Sequence, residues 1–521
     1  METALGGAYT TFRANLADPI RRHNVAMMMM GKMIGLGVVL MLMYFAIPTV
    51  THAQEAGAVD PVVQINAINT AWVLIAAFLV FGMQVGFVML EAGFARERES
   101  VNILVEGIAD TCICGILFWA IGFAFMFEDG NKFIGTHGFF LQGLPATYGS
   151  TGVPMLAFWL FQFAFADTAS TITSGAMVGR CGFIGDLLYS VGVTGFIYPI
   201  VGHWAWGPDG WLALRGFHDF AGSTVVHTIG GTISLAGAIA LGPRIGRVFR
   251  RDGGGPMPPH NIIIGAVGGL ILWFGWYGFN PGSTLSALDA AGIGRVSFNT
   301  TLAACSAGLT ALVYAYIRSG KWDLGLTVNG FLAGLVAITC PCYWVEPVGA
   351  FFIGIIGASA MIVGLETLEY LRIDDPIGAV PVHMFAGMAG TMSLGLFGAG
   401  AFGLPTATGA DTSSVVTGLF YGGQGHALLV QAYGTFAVAG ATLAVALGLM
   451  YAVKLTRTLR VSHEGELEGL DIHEHGVAAY PEFVVNRGLS PYGGLPASLT
   501  SVHHPYVVPT MRPVTDEGGT A

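Results

Sequence analysis

The chain has 521 residues, 53% of them hydrophobic and only 10% charged, with a formal net charge of −10 and a mean hydropathy of +0.65. A soluble domain carries roughly 25% charged residues, so a globular soluble enzyme is excluded. Nucleic-acid binding is excluded too, because no basic stripe interleaved with aromatics is present.

In chain order, Arg21, Arg22 and Lys32 precede the apolar run Met33–Pro48, and Thr51-His-Ala53 supplies a small-residue cleavage site. Residues 1–53 therefore read as a signal peptide, with an extra transmembrane helix as the other reading and Met27–Met30 as alternative initiators. From residue 64 to 455 the chain alternates short polar breaks with apolar runs close to the ~20 residues that span a bilayer. Eleven are expected, over 68–94, 102–127, 155–179, 182–206, 219–242, 260–280, 297–318, 325–343, 345–370, 377–400 and 427–455. The fold class is an all-α polytopic membrane protein whose 77 glycines suit closely approaching helices. Thirteen Lys and Arg residues follow odd-numbered runs and three follow even-numbered ones. The positive-inside rule then puts the mature amino terminus outside and the carboxyl terminus in the cytoplasm. The six cysteines fall in or beside apolar runs, with no zinc-like spacing, and are expected to be buried small hydrophobes.

Ten of the eleven runs divide five plus five. An odd-numbered unit inverts on duplication, and inverted repeats place a substrate site between them near the midplane. His227 on the fifth run and His383 on the tenth take matching places, in the contexts Val-Val-His227 and Pro-Val-His383. Ionisable groups at membrane depth mark pathways, and imidazole, with an unperturbed pKa near 6.5, suits proton exchange. Asp219 precedes His227 by eight residues, about 12 Å along a helix. It reads equally as a cap for the fifth helix and as an acid attracting a cation. Phe165, Trp206 and Phe279 supply aromatic faces, which attract cations.

Several strings resemble ammonium transporters of the Amt/Mep/Rh superfamily: Asp219-Phe-Ala-Gly-Ser-Thr-Val-Val-His227, Gly275-Trp-Tyr-Gly-Phe-Asn-Pro-Gly-Ser283, the stretch Asn329–Thr339, and Asp374-Asp-Pro-Ile-Gly-Ala-Val-Pro-Val-His383. Met89-Leu-Glu-Ala-Gly-Phe-Ala95 and Gly418-Leu-Phe-Tyr-Gly-Gly423 add to them, so the resemblance spans about 66–480. It implies a homotrimer of eleven-helix subunits in the bacterial inner membrane, each with a narrow apolar pore for ammonium or ammonia and neither cofactor nor enzymatic activity. His227 and His383 match the pore histidine pair, Phe165 and Phe279 the stacked gate, and Trp206, Ser283 and Phe165 the outer ammonium site. Asp219 matches the supporting acid, and Trp206 favours the Amt branch. The chain departs from the family pattern at Asp167, at Met384, and in Gly175-Ala-Met-Val-Gly-Arg180, which lacks the usual glutamate.

Residues 456–481 are similar to the family's cytoplasmic regulatory tail, which supports docking of PII-type (GlnK-like) signalling proteins. Residues 482–521, rich in Pro, Gly, Ser and Thr, are expected to be a disordered extension. The resemblance leaves two alternatives to a transporter: an ammonium sensor signalling through its tail, and a neutral channel for ammonia or carbon dioxide.

Overall fold

The computed structural model describes residues 61–401 and 415–481; the expected signal peptide and the 482–521 extension lie outside them. The chain separates into two compact units, 1–65 and 66–521, and of the first only the opening turn of helix α1 is described. Among the described residues, ten helices are long and apolar enough to cross a membrane. They are α1 (Val62–Phe94), α2 (Glu97–Phe127), α3 (Met155–Gly175), α4 (Phe183–Trp206), α5 (Ser223–Leu241), α6 (Ile262–Thr284), α7 (Ala290–Ser319), α9 (Pro347–Leu371), α10 (Val380–Phe397) and α11 (His426–Leu455). The expected run 325–343 is the shorter apolar helix α8 (Leu324–Thr339). Two short helices, α12 (His463–Glu468) and α13 (Leu470–His475), form the tail.

Helices dominate because backbone amides and carbonyls cannot pair with water inside a bilayer and must be satisfied within the segment. Helix α1 packs on α6, α7 on α8 and α9, and α11 on both α5 and α10. Glycine permits the closest of these approaches. A Cβ at Gly86 would lie 2.9 Å from the Gly268 carbonyl oxygen, and one at Gly268 would lie 2.6 Å from that of Gly86.

Several boundaries shift by a few residues from those read from hydropathy, α7 most of all, beginning at Ala290 rather than 297, and two of the shifts share a reason. Helix α5 begins at Ser223 rather than 219, and α8 ends at Thr339 rather than 343. The carbonyls freed at the end of α8 are taken by the chain entering α5. The Phe220 and Ala221 amides donate to the Cys340 and Thr339 oxygens at 3.3 and 3.2 Å, and the Ser223 hydroxyl donates to Val336 at 2.6 Å. The Cys340 amide donates back to Ser223 Oγ at 2.7 Å. Each interruption satisfies the other's orphan groups. The cysteine expectation holds for Cys114, Cys181, Cys340 and Cys342, whereas Cys112 and Cys305 are exposed on the helix bundle.

On the tail side, Arg180 is fully buried, with its guanidinium donating to the carbonyls of Gly242, Val178 and Asp374. Beside it Arg244 and Asp374 form a two-pronged pair at 2.8 and 3.0 Å, and Asp374 also accepts from the Arg244 amide. Burial by itself would raise the Asp374 pKa, but the Arg244 guanidinium holds this carboxyl well below the usual carboxylate range. A depressed folded pKa stabilises the protein above the unfolded value near 3.9, and the contribution is lost as pH falls below it. Removing one partner of a buried pair costs about 3–5 kcal/mol. Asp374→Asn is therefore expected to lower the thermal unfolding midpoint of the purified protein at pH 7, with the gap to wild type narrowing in acid below about pH 4. A midpoint equal to wild type at pH 7 would remove the pair from the stability account.

Candidate functional site

Two short π-helical turns carry the histidines: Ser223–Thr228, opening α5, and Val380–Phe385, opening α10. Wide turns of this kind inside longer helices are common at functional sites. Each is started by a carboxylate that accepts a run of backbone amides. Asp219 Oδ1 takes Gly222 and Ser223 at 3.0 Å, and Oδ2 takes Thr224 and Val225 at 2.8 Å. Asp375 Oδ1 takes Gly378 and Ala379 at 3.0 and 3.1 Å, and Oδ2 takes Val380 at 2.8 Å.

The chain must turn sharply to bring those amides back over the carboxylate, and glycine allows it: φ is 114° at Gly222 and 83° at Gly378. In both halves the acid precedes the glycine by three residues and the histidine by eight. The counterpart of Asp219 is thus Asp375, a residue the sequence reading assigned no role, whereas Asp374 belongs to the Arg244 pair. For Asp219 itself, the capping reading accounts for both carboxylate oxygens.

The two turns bring His227 and His383 together in the middle of the bundle. Their Nδ1 atoms are 3.2 Å apart and the rings are stacked at 5.2 Å. His227 is fully buried and His383 is 7% exposed. A hydrogen bond between two Nδ1 atoms requires one to donate and the other to accept. With both rings neutral, one therefore presents Nε2 as an acceptor and the other presents Nε2–H as a donor. His227 Nε2 is enclosed without a partner, an open hydrogen-bonding position in an otherwise apolar passage.

Above the pair runs a file of rings. Phe279 stacks on His227 at 5.4 Å, Phe165 stacks on Phe279 at 4.0 Å, and Trp206 meets Phe165 edge-on at 6.2 Å. Phe165 and Phe279 are almost wholly buried, and their stacked rings fill the space between the histidine pair and the surface. Beyond them lies a small concavity lined by Phe161, Gln162, Phe165, Trp206, Phe220, Ser283 and Leu285. Trp206 is held by a 2.7 Å hydrogen bond from Nε1 to the Asp219 carbonyl, so Asp219 positions the pocket wall with its backbone and the histidine helix with its side chain. Ser283 Oγ donates to the Phe279 carbonyl at 2.8 Å, leaving its oxygen lone pairs to face the pocket.

All the residues singled out from sequence meet in this one column. The reading missed Trp276, which stacks on His227 at 5.1 Å and donates to Thr339 Oγ1 at 2.8 Å. Its i, i+3 spacing from Phe279 on α6 was the available signal. Met384, the departure beside His383, has its backbone against Gly231 of α5, where a Cβ would meet the Met384 Cβ at 2.9 Å. Asp167 faces away from the column and accepts from Thr111 of α2 at 3.1 Å.

The sequence profile described as the Ammonium Transporter Family matches residues 71–480. The ammonium transporter Amt2 of Archaeoglobus fulgidus is 42% identical over 430 residues, covering 80% of this chain and 89% of that protein. A putative ammonium transporter of Synechocystis is 38% identical over 416 residues, covering 79% and 88%. Among solved structures, one titled "Sensor Amt Protein" superposes with a TM-score of 0.71 at 38% identity, covering 79% of this chain and 99% of that one. Mep2 of Candida albicans superposes with a TM-score of 0.71 at 28% identity, covering 78% and 89%.

Stripping the caps tests what holds the column. Asp219→Ala leaves four buried amides without their acceptor and is expected to cost about 3 kcal/mol or more, read as a lowered unfolding midpoint in detergent. Asp375→Ala should behave alike. If Asp219→Ala keeps wild-type stability while ammonium affinity falls, the carboxylate acts on the cation rather than on the helix.

Proposed function

Because the chain belongs to the Ammonium Transporter Family, we propose that it takes ammonium at the Trp206–Phe165–Ser283 pocket, deprotonates it there, and passes ammonia and the proton inward by separate means. The observation that carries this reading is the unbroken file from Phe165 through Phe279 to the His227–His383 pair.

The pocket offers a cation what an apolar wall cannot. Ring faces contribute ~0.5–2 kcal/mol per contact when partly desolvated, and the Ser283 oxygen adds about 1 kcal/mol. Burying an unpaired ion costs far more, tens of kcal/mol in the idealised limit. An intact ammonium ion therefore stops at the stacked phenylalanines. Loss of its proton turns it into ammonia, which is small and neutral, passes when the rings swing aside, and can hydrogen-bond to His227 Nε2 on the way. The proton left behind follows along the imidazole pair: one Nδ1 gives up its proton across the 3.2 Å contact as the accepting ring gains it, and each Nε2 exchanges with the next carrier. Ammonia and proton recombine at the far end, so one positive charge crosses per ammonium. Potassium has no proton to release and is rejected.

In this reading the Trp206 end faces outward in the bacterial inner membrane and the tail lies in the cytoplasm, consistent with the distribution of Lys and Arg between loops. The subunit assembles as a homotrimer, each copy with its own pore, and residues 456–481 offer the contact for a PII-type protein. A second reading has one specific observation in its favour: the likeness to a protein titled as a sensor. There the same pocket binds ammonium and reports it through the tail, with little or no flux.

Reconstituted proteoliposomes separate the two. Ammonium-driven current that scales with an imposed potential and excludes potassium is expected. Saturable ammonium binding without current would favour the sensor. Removing either imidazole from the relay leaves the bare ion as the only charged species able to cross. His227→Ala and His383→Ala are expected to cut current at least about 100-fold, equivalent to roughly 3 kcal/mol of barrier. Wild-type current with potassium still excluded in either variant would sink the relay.

A further inference from the structure

Away from the histidine column, between α1, α2, α3 and α4, lie five carboxyl groups: Glu91, Glu106, Asp110, Asp167 and Asp186, none more than 4% exposed. The pore chemistry uses none of them. Hydroxyl groups satisfy one oxygen on several: Ser190 donates to Asp110 Oδ1, Tyr189 to Asp186 Oδ1 and Thr111 to Asp167 Oδ2, while Ser174 donates to Glu91. The other oxygens, Glu106 Oε1, Asp110 Oδ2, Asp167 Oδ1 and Asp186 Oδ2, are enclosed with no partner. The charged neighbours that act most strongly on Asp110 are Asp186, Asp167 and Glu91, and those on Glu106 are Asp186, Asp110 and Glu91. All are carboxyls. Arg180, the nearby guanidinium on the α3–α4 turn, spends its donors on backbone carbonyls.

An independent observation points into this cluster from α2. Asn102 is 1% exposed, sits one helical turn before Glu106 on the same face, and has a buried side-chain nitrogen with no acceptor. Its side chain bears on Glu106. Its side-chain oxygen is 2.9 Å from Nε2 of His475 on tail helix α13, and the His475 ring packs edge-on against Phe183 at the start of α4. Asp471 of the same helix accepts the Asn102 backbone amide at 2.9 Å, while Arg98 donates to the Leu467 carbonyl. The tail is thus fastened to the α2 entrance by Asn102, which also faces the carboxyls.

We propose that Glu106, Asp110 and Asp186 form a proton-binding site, separate from the histidine pore, whose occupancy is passed to the tail through Asn102 and His475. Asp110 and Asp186 bear directly on one another across the α2–α4 contact. One proton held between them turns one orphaned oxygen into a donor and the other into its acceptor, which satisfies both at once. Were both ionised, each would keep one enclosed charged oxygen without a donor in an apolar bundle. Protons suit the site better than a metal ion, since the described residues contain no group of three His, Cys, Asp or Glu spaced to hold one. When Glu106 is charged, its carboxylate accepts from the Asn102 amide, and the Asn102 oxygen turns with it toward His475 Nε2–H. When Glu106 takes up a proton its pull on the Asn102 amide falls, Asn102 is freer to turn, and the hold on α13 loosens. The other titratable groups facing the cluster are Glu91 from α1, Cys114 from α2, Asp167 from α3, and Cys181 and Tyr189 from the start of α4.

The test uses the full-length protein in lipid vesicles. Infrared spectra at neutral pH should contain the carbonyl stretch of buried, protonated carboxyl groups, diminished in Asp110→Asn and Asp186→Asn. Its absence from wild type, which needs no variant to fold, overturns the proposal. Hydrogen-exchange protection of residues 463–476, taken relative to the intrinsic rate at each pH between about pH 6 and 9, should change at least several-fold in wild type and become flat in Glu106→Gln, which keeps His475. The same pH dependence in Glu106→Gln as in wild type would trace the response to His475 alone and overturn the relay.

Discussion

Two carboxylates gripping backbone amides hold the functional column in place. Inside an apolar bundle a helix cannot start with bare N–H groups, because no water is there to receive them. Asp219 and Asp375 supply the missing acceptors, taking four and three consecutive amides respectively. The glycine three residues on folds the chain over the carboxylate, and the π-helical turn that follows delivers an imidazole to the centre. Because the same device occurs once in each half with the same spacing, the two rings arrive face to face. Without it neither helix could begin at that depth.

Around the histidines the architecture is economical with polar groups. The Ser223 hydroxyl and the broken end of α8 satisfy one another, and Asp219 uses its side chain on the helix and its carbonyl on Trp206. The column above His227 is then free to be aromatic and dry. In the proposed mechanism a stacked pair such as Phe165 and Phe279 at 4.0 Å stops a hydrated ion by size and a bare ion by desolvation, while a neutral molecule meets only the work of moving two rings. On that proposal, selectivity follows from the polar groups missing from the column as well as from what the two imidazoles supply.

Much of this was legible without coordinates. Hydropathy and the distribution of Lys and Arg located the eleven helices, and the matched positions of His227 and His383 pointed to a site between repeats. Phe165, Trp206, Phe279, Ser283 and Asp219 were identified by motif, and the structure brings all of them to one column. Less legible were the residues whose role depends on a partner distant in sequence. Trp276 stood inside a motif with no role of its own, and only the fold lays its ring against His227. Asp375 stood next to Asp374 with nothing to separate them, yet one caps a helix and the other pairs with Arg244, 130 residues away. Asp167 read as a departure near the pore and proved to belong to a carboxyl cluster on another side of its helix.

The sequence by itself determined the membrane-spanning helical fold and singled out the residues of the column, because those follow from periodicities and spacings local to each segment. Helix length is set by bilayer thickness, and the acid–glycine–histidine spacing is written in nine consecutive residues. Only the tertiary structure decided which groups lie within hydrogen-bonding distance of one another. That the two histidines meet Nδ1 to Nδ1, and that Asn102 stands between a tail histidine and a buried glutamate, depends on distances of about 3 Å between helices far apart in the chain. A hydrogen bond is made or lost over a few tenths of an ångström, a precision that hydropathy and spacing do not carry and helix packing does.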